Sequence, residues 1–240
     1  MHRGNIILFC ICNKCFLQIS SNSCILFSME KFFTYRKVDS LPLLLPEKQI
    51  WSRLGRNRFL SQISPEQEIG LKLLMHKAFT CCAPCGVWKM LKIVTRSPQS
   101  VTLAGNWVLE SAAFAEFVGN SPFLWLGAVT VGNGITAAAN QAEDLQQAAV
   151  FDAVGSECAD QAVGLLQELA ARELLRSNLS MGKPRFSPGY GNLSLHVQKR
   201  IFEELSLHEL NMTLTDSCIM QPEKSVTAFA VVNGDNFKTP

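Results

Sequence analysis

Apolar residues recur at helical spacing in IGLKLLMHKAF, Ile69 to Phe79, directly behind Ser64-Pro65-Glu66-Gln67. Serine caps a helix, proline suits its first position, and Gln67 stands at the capping-box spacing. The pattern predicts a helix that ends near the CCAPCG punctuation. Val87 to Val94 and Val101 to Leu103 are short, β-branched runs and read as strands. Ser111 to Val118 reads as a short helix, stopped by Gly119-Asn120-Ser121-Pro122. Phe123 to Gly132, FLWLGAVTVG, shows no alternation and is rich in aromatic and β-branched residues. Such a run predicts a central strand buried on both faces. Gly132-Asn133-Gly134 closes it as a turn.

From Gln141 to Ser177 the chain is rich in Ala, Leu, Gln and Glu, all strong helix formers. Leu145, Ala148, Ala149, Asp152 and Ala153 form one stripe; Ala162, Leu165, Leu166, Leu169 and Ala170 form another. Gly155-Ser156 lies between them and predicts a helix, a break and a second helix. Leu195 to Leu205 repeats as an amphipathic helix. Met212 to Met220 and Ser225 to Val232 alternate as strands around Gln221-Pro222-Glu223-Lys224, so a hairpin is expected. Helices and strands mix without strict βαβ order. That favours an α+β fold: one domain, with a mainly antiparallel or mixed twisted sheet flanked by helices. Within it, 29–99 reads as an N-terminal helix plus strands, 100–232 as the core, and 233–240 as a frayed tail. Residues 1–28 read as a flexible arm or an over-extended start, because Met29 opens a more ordinary protein sequence.

Composition removes several functions. The 240 residues are 48% apolar, which supports a real core, and their net charge of +2 lacks the basic excess that nucleic-acid binding needs. The early apolar run Ile6 to Cys12 falls far short of the roughly 20 residues of a membrane helix. Arg3 ahead of that run resembles a secretory signal, but no small-x-small cleavage site follows it. Nine cysteines include two CxxC spacings, Cys12/Cys15 and Cys82/Cys85, which lie too far apart in sequence for a zinc ribbon. A redox dithiol at CAPC would ordinarily follow a strand, and here a helix precedes it. The odd count speaks against a disulfide framework, so free thiols in a cytoplasmic protein are expected. His2, His76, His196 and His208 show no metal-ligand spacing, and there is no phosphate loop or GxSxG elbow. Neither a metal site nor a catalytic set is expected.

One stretch fits no regular element: RFSPGYG, Arg185 to Gly191. Pro188 presets φ, and Gly189 can take φ > 0, so the pair predicts a tight turn. Gly191 adds another permissive position. Arg185 offers a fork of donors suited to a carboxylate, and Tyr190 an aromatic face with a hydroxyl. Such a turn can hold a zwitterionic ligand with a flat ring. The same residues also suit a helix-to-helix linker with a surface arginine and a core tyrosine.

Downstream, LxxxVQKxIFxxL and TLTDSCIMQPEKSVTA follow the turn. Upstream stands AxxxDAxGS: Ala148, Asp152, Ala153, Gly155 and Ser156, running into Ala159-Asp160. Together these resemble the activation domain of cobalamin-dependent methionine synthase, in its short, stand-alone form. That family has an R-x-x-PGY turn, a helix, and a hairpin carrying LT-S--M-P--SV. Here the matching residues are Arg185, Pro188-Gly189-Tyr190, Leu214-Thr215, Ser217, Met220, Pro222 and Ser225-Val226. The resemblance covers about 100 to 232 and is most specific from 185 to 228.

The resemblance implies a module that holds S-adenosylmethionine (AdoMet) over a cobalamin carried by a partner protein. An electron from a flavodoxin-type donor then permits remethylation of inactive cob(II)alamin. It implies a cobalamin-dependent methionine synthase, or another corrinoid protein, as the partner. The implied cofactor-binding residues are Arg185 for the AdoMet carboxylate, Ser187 for main-chain contact with the adenine, then Pro188, Gly189 and Tyr190. Such a module makes no methionine alone, and no nucleic-acid or membrane partner is implied. Two departures point to an alternative, a docking protein for a corrinoid protein that has lost AdoMet. Gly164 stands where the family has an acid for the ligand's amino group, and the chain stops soon after the hairpin.

Overall fold

The computed structural model describes residues 30–55 and 63–234. The expected arm at 1–28, the Cys12/Cys15 pair and residues 235–240 lie outside the described residues. Among the described residues, no helix is long and apolar enough to cross a membrane.

The apolar run FLWLGAVT forms β5, Phe123–Thr130, and all eight of its residues are buried. It is flanked on one edge by β2, Cys85–Ser97, and on the other by β9, Ser225–Gly234. Outside β2 come β3, Ser100–Leu103, and β4, Trp107–Glu110; outside β9 comes β6, Leu179–Met181. The first half of β2 also pairs with β1, Arg36–Val38, completing a seven-stranded sheet whose ladders are antiparallel. The fold is thus α+β with a mainly antiparallel sheet. β9 reaches past the expected start of the tail, for Asn233 and Gly234 pair with Ser180 and Leu179.

Side-chain alternation along β5 sends residues to two cores. Leu124, Leu126 and Ala128 join a cluster with Phe114, Ile201, Leu205 and Phe229. Phe123, Trp125 and Val129 join a second, with Trp88, Ala162, Leu166 and Ala170. The first core is covered by α3, Ala112–Val118, and α6, Val197–Glu204, with a 3-10 turn at Leu207–Leu210. The second is covered by α5, Leu145–Leu175. The N-terminal half of α5 builds a third cluster with α1, Glu47–Arg53, α2, Pro65–Phe79, and α4, Gly134–Asn140. Two-sided burial is why β5 lacks alternation. The apolar run is the middle layer between two cores, as its pattern predicts.

Local signals behave as expected at α2. Ser64 Oγ accepts from the Gln67 N–H at 3.3 Å, and Gln67 Oε1 accepts from the Ser64 N–H at 2.9 Å. Ser111 likewise caps α3 through the Phe114 N–H at 3.0 Å.

Three expectations change. First, α5 is one unbroken helix of 31 residues, with no break at Gly155-Ser156. A helical glycine costs only about 1 kcal/mol relative to alanine, and packing of the surrounding face outweighs it. Gly155 does permit close approach: a β-carbon there would sit 3.0 Å from Lys224 Cγ and 3.1 Å from Ile135 Cγ1. Second, the expected hairpin does not form. β7, Thr213–Leu214, pairs with β8, Met220–Gln221, while β9 pairs with β5 and β6. The polar alternation between them is turn chemistry: Thr215 Oγ1 accepts from the Ile219 N–H at 3.1 Å and meets Ser217 Oγ at 3.0 Å. Third, the turn at Gly132 (φ +80°) leads straight into α4, a helix that glycine at its first position obscured.

Candidate functional site

The stretch after β6 runs back along β9. The Gly182 N–H donates to the Val231 carbonyl at 2.9 Å. Phe186 and Phe229 exchange two backbone hydrogen bonds, at 2.9 and 2.8 Å. Phe186 then packs edge-on against Phe114 at 5.3 Å and tilted against Phe117 at 5.3 Å, which fastens the segment to α3. Gly191 lies against α3 as well, since a β-carbon there would come 2.8 Å from Ala113 Cβ. Between these anchors, Ser187 to Tyr190 forms the turn. The Tyr190 N–H donates to the Ser187 carbonyl at 3.2 Å, and Gly189 has φ +90°. Proline then glycine at the two central positions, with the second at positive φ, is the type II pattern.

The turn forms one wall of a cleft of about 860 Å³. Asp160 and Val163 of α5 line it, as do Gln198 of α6, Met220 of β8, and Ser225, Val226 and Thr227 of β9. Of the residues expected from sequence, Arg185, Ser187, Pro188 and Tyr190 line this cleft. Gly189 is not among the lining residues; it shapes the turn through its backbone, and its N–H donates to the Leu193 carbonyl at 2.9 Å. Tyr190 is 70% exposed at the rim, unlike the core tyrosine of a plain linker.

Arg185 is positioned by a residue that sequence reasoning missed. Its Nη1 donates to Gln167 Oε1 at 3.0 Å. Gln167 is buried on α5, and its Nε2 donates to the Gly182 carbonyl at 2.8 Å and the Lys183 carbonyl at 3.3 Å. One amide therefore fixes both the guanidinium and the segment that carries it. A polar residue on the buried face of an Ala/Leu helix was the available signal. One helical turn earlier, a β-carbon at Gly164 would meet Arg185 Nη1 at 3.8 Å. Position 164 thus faces the guanidinium, and no side chain fills the space between.

The cleft carries two cations, Lys183 and Arg185, and one carboxylate, Asp160. Its floor is polar but internally satisfied. Gln198 Nε2 donates to Thr227 Oγ1 at 2.7 Å, and the Thr227 hydroxyl donates back to Gln198 Oε1 at 3.0 Å. Ser225 Oγ donates to the Pro222 carbonyl at 2.6 Å. The arrangement suits a zwitterion: a carboxylate for the guanidinium, a cationic group for Asp160, and apolar surface at Val163, Pro188 and Tyr190. Among the described residues, no three His, Cys, Asp or Glu side chains gather as metal ligands.

The DAVGS residues play a different part. Lys224 Nζ donates to Asp152 Oδ1 and to Ser156 Oγ, the latter at 2.9 Å, across the bare Cα of Gly155. This contact pins the turn before β9, and so places the Ser225–Thr227 wall of the cleft.

No protein-family model matches the sequence, and no curated protein matches it in sequence. In structure the chain resembles the MetH reactivation domain bound to AdoHcy, with a TM-score of 0.58 and 17% identity, over 86% of this chain and 81% of that one. The two share the α+β fold.

Proposed function

We propose that this chain is an AdoMet-binding reactivation module, supporting reductive remethylation of cob(II)alamin on a cobalamin-dependent methionine synthase. The observation that carries this reading is the RFSPGYG turn, which walls a cleft of about 860 Å³ in a fold shared with the MetH reactivation domain. That domain is bound to AdoHcy. The residues present fit such a ligand. The cleft lies within the roughly 300–1,000 Å³ span of small-molecule sites. Gln167 engages one N–H of Arg185, and the guanidinium's other donors have no hydrogen bond to the described residues.

In this reading Arg185 takes the ligand carboxylate and the Ser187 main chain borders the adenine. Pro188 and Gly189 hold the turn rigid, and Tyr190 faces outward toward the docked partner. Asp160 is the carboxylate available to the ligand's cationic portion. AdoMet, when bound, supplies an electrophilic methyl group. The chain's own contribution is orientation: a preformed turn, fixed by Gln167 and the Phe186–Phe229 bridge, presents the ligand in one pose. Cobalamin rides on the partner, a flavodoxin-type protein supplies the electron, and the module works in the cytoplasm.

Calorimetry with AdoMet and AdoHcy, on the unmutated protein and on Arg185→Ala, tests the binding half. Restoration of a cob(II)alamin-inactivated synthase, with AdoMet and reductant supplied, tests the rest. A second reading, a docking protein without AdoMet, is favoured by Gly164. It expects no binding heat, and association with a corrinoid protein that AdoMet leaves unchanged.

A further inference from the structure

We propose that the outer edge of β9 at Thr227 reads the base of the ligand, taking the amino edge of adenine and rejecting a 6-oxo purine. The inference deepens the proposed function and rests on the cleft being the ligand site. The side chains on the cleft floor are satisfied, but the main chain of the same strand is not. In an antiparallel ladder, alternate residues turn their N–H and C=O toward opposite neighbours. The Val131 N–H donates to the Lys224 carbonyl at 3.0 Å, which sets that phase for β9 against β5. Val226 and Ala228 therefore bond to β5, while Ser225, Thr227, Phe229 and Val231 face the outer edge. The outer partners agree: Gly182 bonds to Val231, and Phe186 to Phe229.

Thr227 has no such partner. The Phe186–Phe229 register would set position 188 against Thr227 if the ladder continued. Position 188 is proline, which has no N–H to give, and the chain turns away there. Among the described residues, nothing hydrogen-bonds to the Thr227 N–H or carbonyl. Both groups face the cleft that Ser225, Val226 and Thr227 line. Gln198 bonds the Thr227 hydroxyl, and that side chain is buried, so the residue is fixed in place.

An unpaired donor and acceptor on one residue match a ligand edge that carries an acceptor beside a donor. Adenine has such an edge: its 6-amino group donates to the Thr227 carbonyl, and its N1 accepts from the Thr227 N–H. Hypoxanthine instead sets an oxygen against the carbonyl and an N–H against the N–H, and each mismatch leaves a desolvated group unpaired. The open run from Ser225 to Ala228 spans only about 13 Å of strand, and the Ser187–Tyr190 turn walls it in, so a flat ring fits where a peptide strand does not. A ring that continues the sheet lies between Val163 and Met220, which pack against the second and the first core. Arg185, just before the Phe186–Phe229 bridge, stays free for the carboxylate end.

The test uses the full unmutated chain, isotope-labelled, with AdoHcy, S-inosylhomocysteine, adenosine and inosine as titrants. Calorimetry gives the affinities, and amide hydrogen exchange followed by NMR reads Thr227 directly. In the free protein the Thr227 N–H should exchange faster than those of Val226 and Ala228. Saturation with AdoHcy should slow it about tenfold or more. Each 6-oxo titrant should bind about ten- to 100-fold more weakly than its 6-amino counterpart. Equal affinities within the pair that binds, or Thr227 exchange unmoved by the bound ligand, overturns the inference and leaves AdoMet binding standing. Adenosine bound in preference to inosine, with AdoHcy not bound, overturns the proposed function and keeps the edge assignment. No binding by any of these titrants overturns both.

Discussion

Replacing Gln167 by alanine separates the residue that meets a ligand from the residue that holds it in place. The Gln167 amide makes three contacts: Arg185 Nη1 at 3.0 Å, the Gly182 carbonyl at 2.8 Å and the Lys183 carbonyl at 3.3 Å. The last is long, and Lys183 and Arg185 are exposed, so water repairs part of the loss. About one neutral hydrogen bond is then forfeited outright, at ~0.5–1.5 kcal/mol, with part of a charge-assisted one. A stability loss of about 1–2 kcal/mol follows. Ligand binding suffers differently. An unanchored arginine must be ordered when the ligand arrives, at a cost of about 0.5–1.5 kcal/mol per long side chain. AdoMet affinity should fall about two- to tenfold in Gln167→Ala, whereas Arg185→Ala forfeits a charge-assisted contact of ~1.5–3 kcal/mol, or about ten- to 150-fold. Calorimetric titration of both variants, each first checked by urea denaturation, measures the two effects. If Gln167→Ala binds as tightly as the unmutated protein while losing stability, Gln167 supports the fold and does not preorganise Arg185. If Arg185→Ala binds unchanged, the carboxylate assignment itself is wrong.

Two glycines on α5 should respond with opposite sign. Gly164→Ala meets only Arg185 Nη1 at 3.8 Å and should raise Tm by about 1–4 °C, a gain of roughly 0.5–1 kcal/mol. Gly155→Ala puts a methyl 3.0–3.3 Å from Lys224 and Ile135, so overpacking of about 1–3 kcal/mol should outweigh the propensity gain and lower Tm; a rise in both variants would refute the packing account. At the start of α2, Ser64→Ala should cost about 1 kcal/mol in denaturant melts. The Ser64 hydroxyl and a backbone N–H also hold the Glu66 carboxyl below its ordinary pKa. That contribution is present above the unfolded-state pKa and fades as pH falls through the lower folded value. NMR titration should therefore show the Glu66 pKa rising in Ser64→Ala, and an unmoved value would remove the contact. At the sheet centre, the Trp125 ring lies across Gly127, where a β-carbon would come within 2.2 Å of it. Gly127→Ala should cost several kcal/mol or prevent folding, and a thermal melt near that of the unmutated protein would contradict the ring placement.

Which features could be read in advance depends on whether their cause is local. The capping box at Ser64 and the proline-glycine turn at 187–190 are short-range chemistry, and both stand where the sequence places them. The strand β5 was legible because burial on two faces erases alternation. The errors arose where distant residues decide. Gly155 looked like a break because its compensation comes from Lys224 and Ile135, far along the chain. Thr215 and Ser217 looked like an alternating strand because a side-chain-bonded turn and a pleat share the same period. The motif residues accordingly divide by task. Asp152, Gly155, Ser156 and Lys224 build the wall of the cleft without lining it, while Arg185, Ser187, Pro188 and Tyr190 face into it. Gln167 belongs to neither group in sequence, yet it joins them in space, tying α5 to the segment that carries Arg185. Gly164 then has a physical meaning beyond a missing acid. An acidic side chain there would stand beside Arg185, where the resemblance implies a contact for the ligand's amino group. Its absence leaves Arg185 held by a neutral amide, with its charge uncompensated by that contact and available to an anionic group.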